Sequence, residues 1–495
     1  MSIARAEYDL KYAYRAMAIL ASLAVIVMYI EGMLIPSLTE IEREFGVTSS
    51  QVSWVLSSYL LSGTVLLPIV GKLGDIYGKK RVLSIVVIIY TIAVTLTSTS
   101  PSFTYLIVFR SIQGIGVTMF ALAFSLIREE FPRELIPRAQ GLVSAAFGIG
   151  AAVALPLGAY ISQYFGWRTT YHTAIPFVVL IAYLILTRIR ESRYRNPGAK
   201  VDLPGATVLG ISLGLLVYGL TEAPVWGWTS FNTILTFLVA LLFLGIFIEV
   251  ERGRDQPLIN LTLLARRNVL IANLAALVAG FGLFLFEQSL IILLEEPKPV
   301  GFNLSIFDTG LYAIPMAVAQ LITAPVAGAL ITRVGAKRVL MTGAGIAALF
   351  SLATALVAPL GLPALITATT LAMVGVAAMN VSLINILVFS VEPQVMGVST
   401  AMNSVFRNLG GTLGPAVAGS LESTFTSLVL MGILPGGKVP LLMSVPSLFA
   451  FQLGAVISAL MVVLIGILAN FSIEVITWNR VQATPHINQP QGTGP

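Results

Sequence analysis

The chain has 495 residues; 57% are hydrophobic, only 11% are charged, and the mean hydropathy is +0.90. A water-soluble domain is roughly a quarter charged, so this composition cannot cover a water-facing surface. The absence of Cys excludes disulfides and thiolate metal sites, and two His residues, His172 and His486, argue against a histidine metal centre; neither metal nor cofactor is expected.

Apolar runs of about 18–25 residues recur from Ala16 to Asn470, each long enough to cross a hydrocarbon core as a helix. The first is interrupted at its far end by Glu31 and Pro36 and is followed by span after span rather than a small-residue cleavage site. It reads as a transmembrane helix, not a signal peptide. The whole chain reads as an all-α polytopic membrane protein of about fourteen spans. Their centres fall near residues 25, 61, 90, 115, 150, 178, 212, 241, 281, 316, 348, 375, 410 and 457. With both termini cytoplasmic, 23 of the 29 Lys and Arg residues fall inside, four outside and two, Arg110 and Arg407, within helices. This asymmetry is a positive-inside signal. The net charge of +6 and pI near 9.4 therefore reflect topology and contact with anionic lipid, and no nucleic acid is implied.

The chain repeats itself. Pro68-Ile-Val-Gly71-Lys-Leu-Gly-Asp75-Ile-Tyr-Gly78-Lys-Lys-Arg81-Val-Leu83 recurs as Pro325-Val-Ala-Gly328-Ala-Leu-Ile-Thr332-Arg-Val-Gly335-Ala-Lys-Arg338-Val-Leu340, an offset of 257 (68 to 325). Pro137 to Gly141 pairs with Pro393 to Gly397 at an offset of 256 (137 to 393). Two such pairs predict halves descended from one bundle. The expected organisation is a six-helix bundle over 1–187, a linker with two extra transmembrane helices over 188–268, a second six-helix bundle over 269–470, and a cytoplasmic tail over 471–495.

At these residues the sequence resembles the major facilitator superfamily, specifically its fourteen-spanner drug:proton antiporter group. Gly71-x-Leu73-x-Asp75-x-x-Gly78-Lys79-Lys80 is similar to the loop motif between helices 2 and 3, with Ile76 where an Arg is usual. Arg110-x-x-Gln113-Gly114-x-Gly116 is similar to the helix-4 motif. Trp167-Arg168, Asp202-x-x-Gly205, Trp226-Gly-Trp228 and the stretch from Gly397 through Asn403, Arg407, Gly410 and Gly411 point to the fourteen-spanner branch. Two positions depart from it. The helix-5 Gly-Pro turn is reduced to Ala154-Leu155-Pro156-Leu157-Gly158, and the branch's helix-1 Asp position holds Val27, with Glu31 about one turn along. The resemblance implies proton-coupled efflux of hydrophobic or cationic compounds.

Several intramembrane residues carry candidate chemistry. A charge at mid-membrane costs roughly 2.5–3.5 kcal/mol, so Glu31 and Glu287 need a reason to be there. The repeat offset carries Glu31 to position 288, one residue from Glu287, so the two are expected to be pseudosymmetric carboxylates for proton coupling. Snorkelling of Glu31 or permanent pairing of Glu287 is the bland counterpart. Arg110 needs a carboxylate, water or a cavity, and Glu31 is its nearest candidate partner; the resemblance gives it a part in proton coupling. Arg407 is expected to pair with Glu287 or to hold an anionic substrate. Tyr29, Gln113, Phe284, Gln320, Asn380 and Asn385 complete the candidate substrate cavity, each as readily read as packing or interhelical glue.

Gly71, Asp75, Gly78, Lys79 and Lys80 form a candidate cytoplasmic gate, with Asp75 set against a helix end near Val395–Ser399. Gly410, Gly411, Gly414 and Pro415 are expected to serve close packing. No Gly-x4-Gly-Lys-Ser/Thr is present, so a gradient rather than ATP is expected to supply energy. The expectation is a secondary active transporter of a hydrophobic or cationic substrate, working as a monomer in the plasma membrane against protons and lipid. Proton-coupled transport of a siderophore, lipid or metabolite is the rival, and a channel or membrane-embedded enzyme stands further off.

Overall fold

The computed structural model describes residues 10–131, 136–192, 195, 196, 198, 200–391, 396–433 and 440–472. The first half comprises α1 (Leu10–Gly32), α2 (Leu38–Phe45), α3 (Ser49–Val52), α4 (Trp54–Tyr77), α5 (Lys79–Thr97), α6 (Phe103–Gln113), α7 (Thr118–Glu130), α8 (Ile136–Phe165) and α9 (Trp167–Arg188). Next come α10 (Leu203–Trp226), α11 (Phe231–Arg252) and the short α12 (Leu261–Leu264). The second half holds α13 (Arg267–Glu295), α14 (Ile306–Val334), α15 (Ala336–Val357), α16 (Leu362–Phe389), α17 (Met396–Thr424) and α18 (Leu448–Asn470). Among the described residues, 12 helical segments are long and apolar enough to cross a membrane, α6 and α7 counting as one. The long helix α17 stands outside that set because of its polar load, Asn403, Arg407, Asn408 and Thr412 among them, and α8 is not counted because some of its side chains lie outside the described residues.

One element was not expected. Thr426–Ile433 and Pro440–Pro446 form an antiparallel hairpin, β1 and β2, joining α17 to α18. Alternation in Leu428-Val429-Leu430 buries Val429 and exposes the two Leu, a period of two that was hidden among longer apolar runs. The fold is thus helical with one small sheet.

The repeat has a structural counterpart. Pro68 lies within α4 and Pro325 within α14. Gly78 and Gly335 then link α4 to α5 and α14 to α15 at φ 105° and 94°, conformations that L side chains rarely adopt. The two motifs therefore share a local backbone path, a Pro-bearing helix, a positive-φ Gly and a following helix. Of the second repeat pair, Ala139 is buried in the first core, while the other side chains and the backbone at 393–395 lie outside the described set.

Two apolar cores form, one from α1 and α4–α9, the other from α13–α16 and α18. The halves meet along α8 with α14 and along α4 with α17. A third cluster, joining Leu67, Leu209, Leu213, Val269, Phe406 and Leu409, shows where the two extra helices sit. α10 packs on α4 and α17, covering that seam, while α11 lies outside α10 and joins it through Ser212 Oγ donating to the Ala240 carbonyl at 2.8 Å. The direct hydrogen bonds between the halves that can be described gather at one end of the molecule, near the hairpin. Ser50 bonds to Ser423 through both its N–H and its hydroxyl (2.9 and 2.8 Å), Thr39 to Glu295, and the Ile306 N–H to Gln163 (3.0 Å).

Backbone approach within the second half depends on small residues. A Cβ at Gly410 would run into the Leu277 carbonyl, and one at Gly414 would lie 2.7 Å from the Phe281 carbonyl, while Gly411 faces the Phe284 ring. Pro415 follows inside the same helix. Gly71 has nothing within 4 Å. Gly410→Ala is therefore expected to cost about 1–3 kcal/mol by overpacking, read as a lowered Tm in detergent, whereas Gly71→Ala leaves the Tm unchanged or raised.

Candidate functional site

The site is built outward from Arg110, which is fully buried on α6 one turn before the helix tightens through Gly114 to Val117. Its Nε donates to the Val55 carbonyl (3.1 Å), its Nη1 to Gln113 Oε1 (3.0 Å) and to the Ile30 carbonyl (3.5 Å), and its Nη2 to the Glu31 carbonyl (3.1 Å). The guanidinium also lies 4.7 Å from the Tyr59 ring centroid, in cation–π range. The expected partner is thus engaged through its main chain and not its carboxylate. Arg110 holds the end of α1 against α4, and Gln113 passes the network on to Thr97.

That arrangement leaves the Glu31 carboxylate free to face the middle of the molecule. Tyr59 Oη donates to it at 3.4 Å, and it stands within Coulombic reach of Arg110 and of Arg407 across the halves. Glu287 on α13 faces the same point, within Coulombic reach of Glu31. The sequence left Arg407 to pair with Glu287 or to hold an anionic substrate; in the structure the carboxylate within its Coulombic reach is Glu31. Arg407 keeps exposed surface although protein surrounds it, and Glu31 and Glu287 keep partial exposure in the same way. Charged side chains that keep exposed surface on membrane-spanning helices are expected to face a water-accessible space rather than lipid.

The other candidates divide. Phe284 is half-buried one turn before Glu287, on the same face of α13. Tyr29 is instead in the core, its ring buried and its hydroxyl beside Thr173 of α9, so it does not line the cavity. Asn385 donates to the Val381 carbonyl of its own helix at 2.7 Å, and among the described residues no interhelical hydrogen bond is found for it. Gln320 and Asn380 are half-buried, and among the described residues no contact joins them to Glu31 or Glu287.

At the loop motif, Asp75 pairs with Lys79 (3.1 Å), one turn on, and its carbonyl accepts from the Asn196 N–H at 2.8 Å. Of the helix end proposed as its partner, Val395–Ser399, the first residue lies outside the described set, and the rest is the first turn of α17, with Ser399 buried. Sequence reasoning missed Glu191. Its carboxylate accepts from the Lys80 and Arg81 N–H groups, both at 2.9 Å, capping α5 where Gly78 opens the turn. It also missed a set of carboxylates near the hairpin, the buried Glu295, Glu296 and Glu422 and the half-buried Glu42. Glu422 was open to the same argument as Glu31, since it stands within a long helix.

A helical membrane protein of two repeated halves, with charged side chains gathered between them, belongs to the transporter class. The Major Facilitator Superfamily model matches residues 20–415, and the chain belongs to that family. It is 26% identical over 415 residues to the multidrug resistance protein Stp of Mycobacterium tuberculosis, covering 83% of this chain and 76% of that one. To the multidrug transporter protein MdtP of Bacillus subtilis it is 27% identical over 423 residues, 82% and 75% of the two chains. Among solved structures, a bacterial homolog of the human lysosomal transporter Spinster, inward-facing and unoccupied, aligns with a TM-score of 0.64 at 17% identity over 93% and 96% of the two chains. The xylose transporter XylE from E. coli, in a partially occluded inward-open conformation, gives 0.58 at 13% over 96% and 100%.

Because Arg110 bonds main-chain carbonyls, removing its charge and removing that of Glu31 should differ. Arg110→Met strands several buried acceptors and is expected to cost about 3 kcal/mol or more, read as a large fall in Tm. Glu31→Gln preserves those bonds and is expected to leave the Tm within a few degrees.

Proposed function

We propose that the chain is a secondary active transporter that exchanges incoming protons for outgoing hydrophobic, cationic compounds by alternating access. The observation that carries this reading is Glu31 and Glu287, one from each half, facing one space between them. Each carboxylate holds a proton or a cationic substrate but not both, because a single negative charge in a low-dielectric space is satisfied by one cation. Arg407 stands beside them as a tethered competitor for Glu31. Inward proton movement supplies about 2.3 kcal/mol per 100 mV and about 1.36 kcal/mol per pH unit. The names of the multidrug relatives support the same substrate class.

The rest of the reading follows. Adding α8 and α17 to the 12 apolar segments gives fourteen spans, two six-helix bundles over 1–187 and 269–470, and a linker carrying α10 and α11. With the basic loops cytoplasmic, in the plasma membrane, the hairpin end faces outside. The conformer, joined at that end, is then inward-facing, and it works as a monomer. Asp75, Gly71, Gly78, Lys79 and Lys80 act at the opposite, cytoplasmic gate. One observation favours a second reading, transport of another substrate class: the Arg407 guanidinium is exposed in the same space and suits an anionic group.

Purified protein in liposomes with a trapped pH indicator tests the proposal. A lipophilic cationic dye is expected to drive proton flux, and Glu31→Gln and Glu287→Gln each to reduce it by about 5–150-fold, the range of ordinary coupling energies. No dye-dependent flux in the parent protein rejects antiport of cations, and anion-driven flux that survives both substitutions selects the second reading.

A further inference from the structure

We propose that Glu42, Glu295, Glu296 and Glu422 form a proton-binding latch, separate from the central carboxylates, that closes the hairpin end of the transporter. They come from three places, Glu42 on α2 of the first half, Glu295 and Glu296 at the end of α13, and Glu422 near the end of α17. Glu295, Glu296 and Glu422 retain 5%, 6% and 2% of their surface. Each is within Coulombic reach of at least one other member.

Burial on this scale demands a counter-charge, and the surroundings supply too little. Arg43 is the one cation facing the group from α2, and it is exposed. Arg168 on α9 is committed to Glu44 at 2.7 Å, and Glu40 accepts from Ser162 at 2.7 Å. From α14 the charged neighbour is Asp308, itself acidic and bonded to Ser305 at 2.7 Å. The described residues of the hairpin and of α18 carry no charge. Among the described residues, three buried carboxylates and the half-buried Glu42 have only the exposed Arg43 facing them and the exposed Lys298 in the loop after Glu296, and they cannot all be ionised without a cost of several kcal/mol per ion.

The hydrogen bonds point the same way. Thr39 donates to Glu295, Ser49 to Glu42 at 2.9 Å, and Gln288 to Glu422 at 3.3 Å. One oxygen of each of the four carboxyls has no well-aligned hydrogen bond, and neither does Gln288 Oε1; the Ser289 and Thr309 hydroxyls lie near enough to serve Glu422 and Glu295. Gln288 Oε1 and the free oxygens of Glu42 and Glu296 remain acceptors short of donors, a deficit that protonated carboxyls correct because each O–H is a donor. Burial pushes the Glu296 carboxyl, just beyond the end of α13, upward against the pull of Arg43.

The ligand is a proton rather than a metal ion. The cleft between Glu296 and Glu422 has about 10 Å³ of free space, the lower limit for one water, so a hydrated cation does not fit. Among the described residues no three carboxylates converge as a metal-binding set. A larger cavity of about 570 Å³, lined by Thr39, Glu40, Arg43, Gln163 and Glu295, opens beside the latch and gives protons a wet route to it.

The closed end therefore binds more protons than the open, hydrated one. Closure is favoured at low pH and is lost as pH rises. External acid would thus promote return to the inward-facing form without those protons crossing the membrane. This rests on the alternating-access reading above.

Because the chain has no Cys, spin labels can be placed at Thr99→Cys and Leu360→Cys, loops of the two halves at the hairpin end, and the full chain studied in lipid nanodiscs by pulsed EPR. The ratio of short to long distances is expected to fall about tenfold or more from pH 5 to pH 9. The Glu295→Gln/Glu422→Gln variant should stay short throughout, while Glu31→Gln/Glu287→Gln keeps the pH response. If the first double variant does not fold, Glu42→Gln is read by the same criterion. A pH-independent parent protein, a latch variant that titrates like the parent, or a ratio that follows Na⁺ or Ca²⁺ at fixed pH overturns the latch. Dye-driven proton flux that persists beside a pH-blind hairpin end overturns the latch alone, since the measurement reads distance and not transport.

Discussion

A guanidinium sealed in an apolar helix bundle must find its acceptors in the protein, and the first half of this molecule is arranged around that requirement. Arg110 meets it by collecting carbonyls from α1 and α4 together with Gln113. Such charge-assisted bonds are roughly twice as strong as neutral ones, and here they fix the end of α1, the helix that carries Glu31. The carboxylate is then free to look across to the other half. Had Arg110 paired with it directly, Glu31 would be a neutralised structural ion and of little use to a coupled transporter.

Motion of one half against the other needs rigid halves and a seam that can part. Within each half the helices approach closely, as α13 and α17 do at Gly410 and Gly414. Between halves the described polar contacts are few and concentrated near the hairpin, where hydroxyl pairs such as Ser50 with Ser423 can break without leaving a charge unpaired. The extra helices lie across only one of the two seams, along α4 and α17. α11 touches the rest of the protein mainly through α10, and its outward apolar residues Leu238, Leu241 and Leu242 suit lipid.

Much of this was legible in the chain because a membrane restricts the options. A run such as Leu362–Phe389 can only be a helix there, and the repeat around Gly78 and Gly335 announced two halves before any coordinates did. Arg110, Glu31, Glu287 and Arg407 were found because an intramembrane charge is costly. What the sequence obscured was direction. Tyr29 and Glu31 are two residues apart on one helix, so they point to different faces, one to the core and one to the central space, and composition cannot tell them apart. That Arg407 lies within Coulombic reach of Glu31 rather than pairing with Glu287 depends on the relative placement of the halves. Glu295 and Glu296 stand at the end of a span, where a carboxylate is ordinarily solvated, yet both are buried. The hairpin was lost for a related reason, since its short alternation sits between long apolar runs.

The central claim is that the halves separate near the hairpin during each cycle. A disulfide between Ser50→Cys and Ser423→Cys, whose native hydroxyls lie 2.8 Å apart, tests it in a chain with no other Cys. The account predicts that oxidation stops dye transport in proteoliposomes and that reduction restores it. Transport that continues at an undiminished rate with the cross-link complete would contradict it.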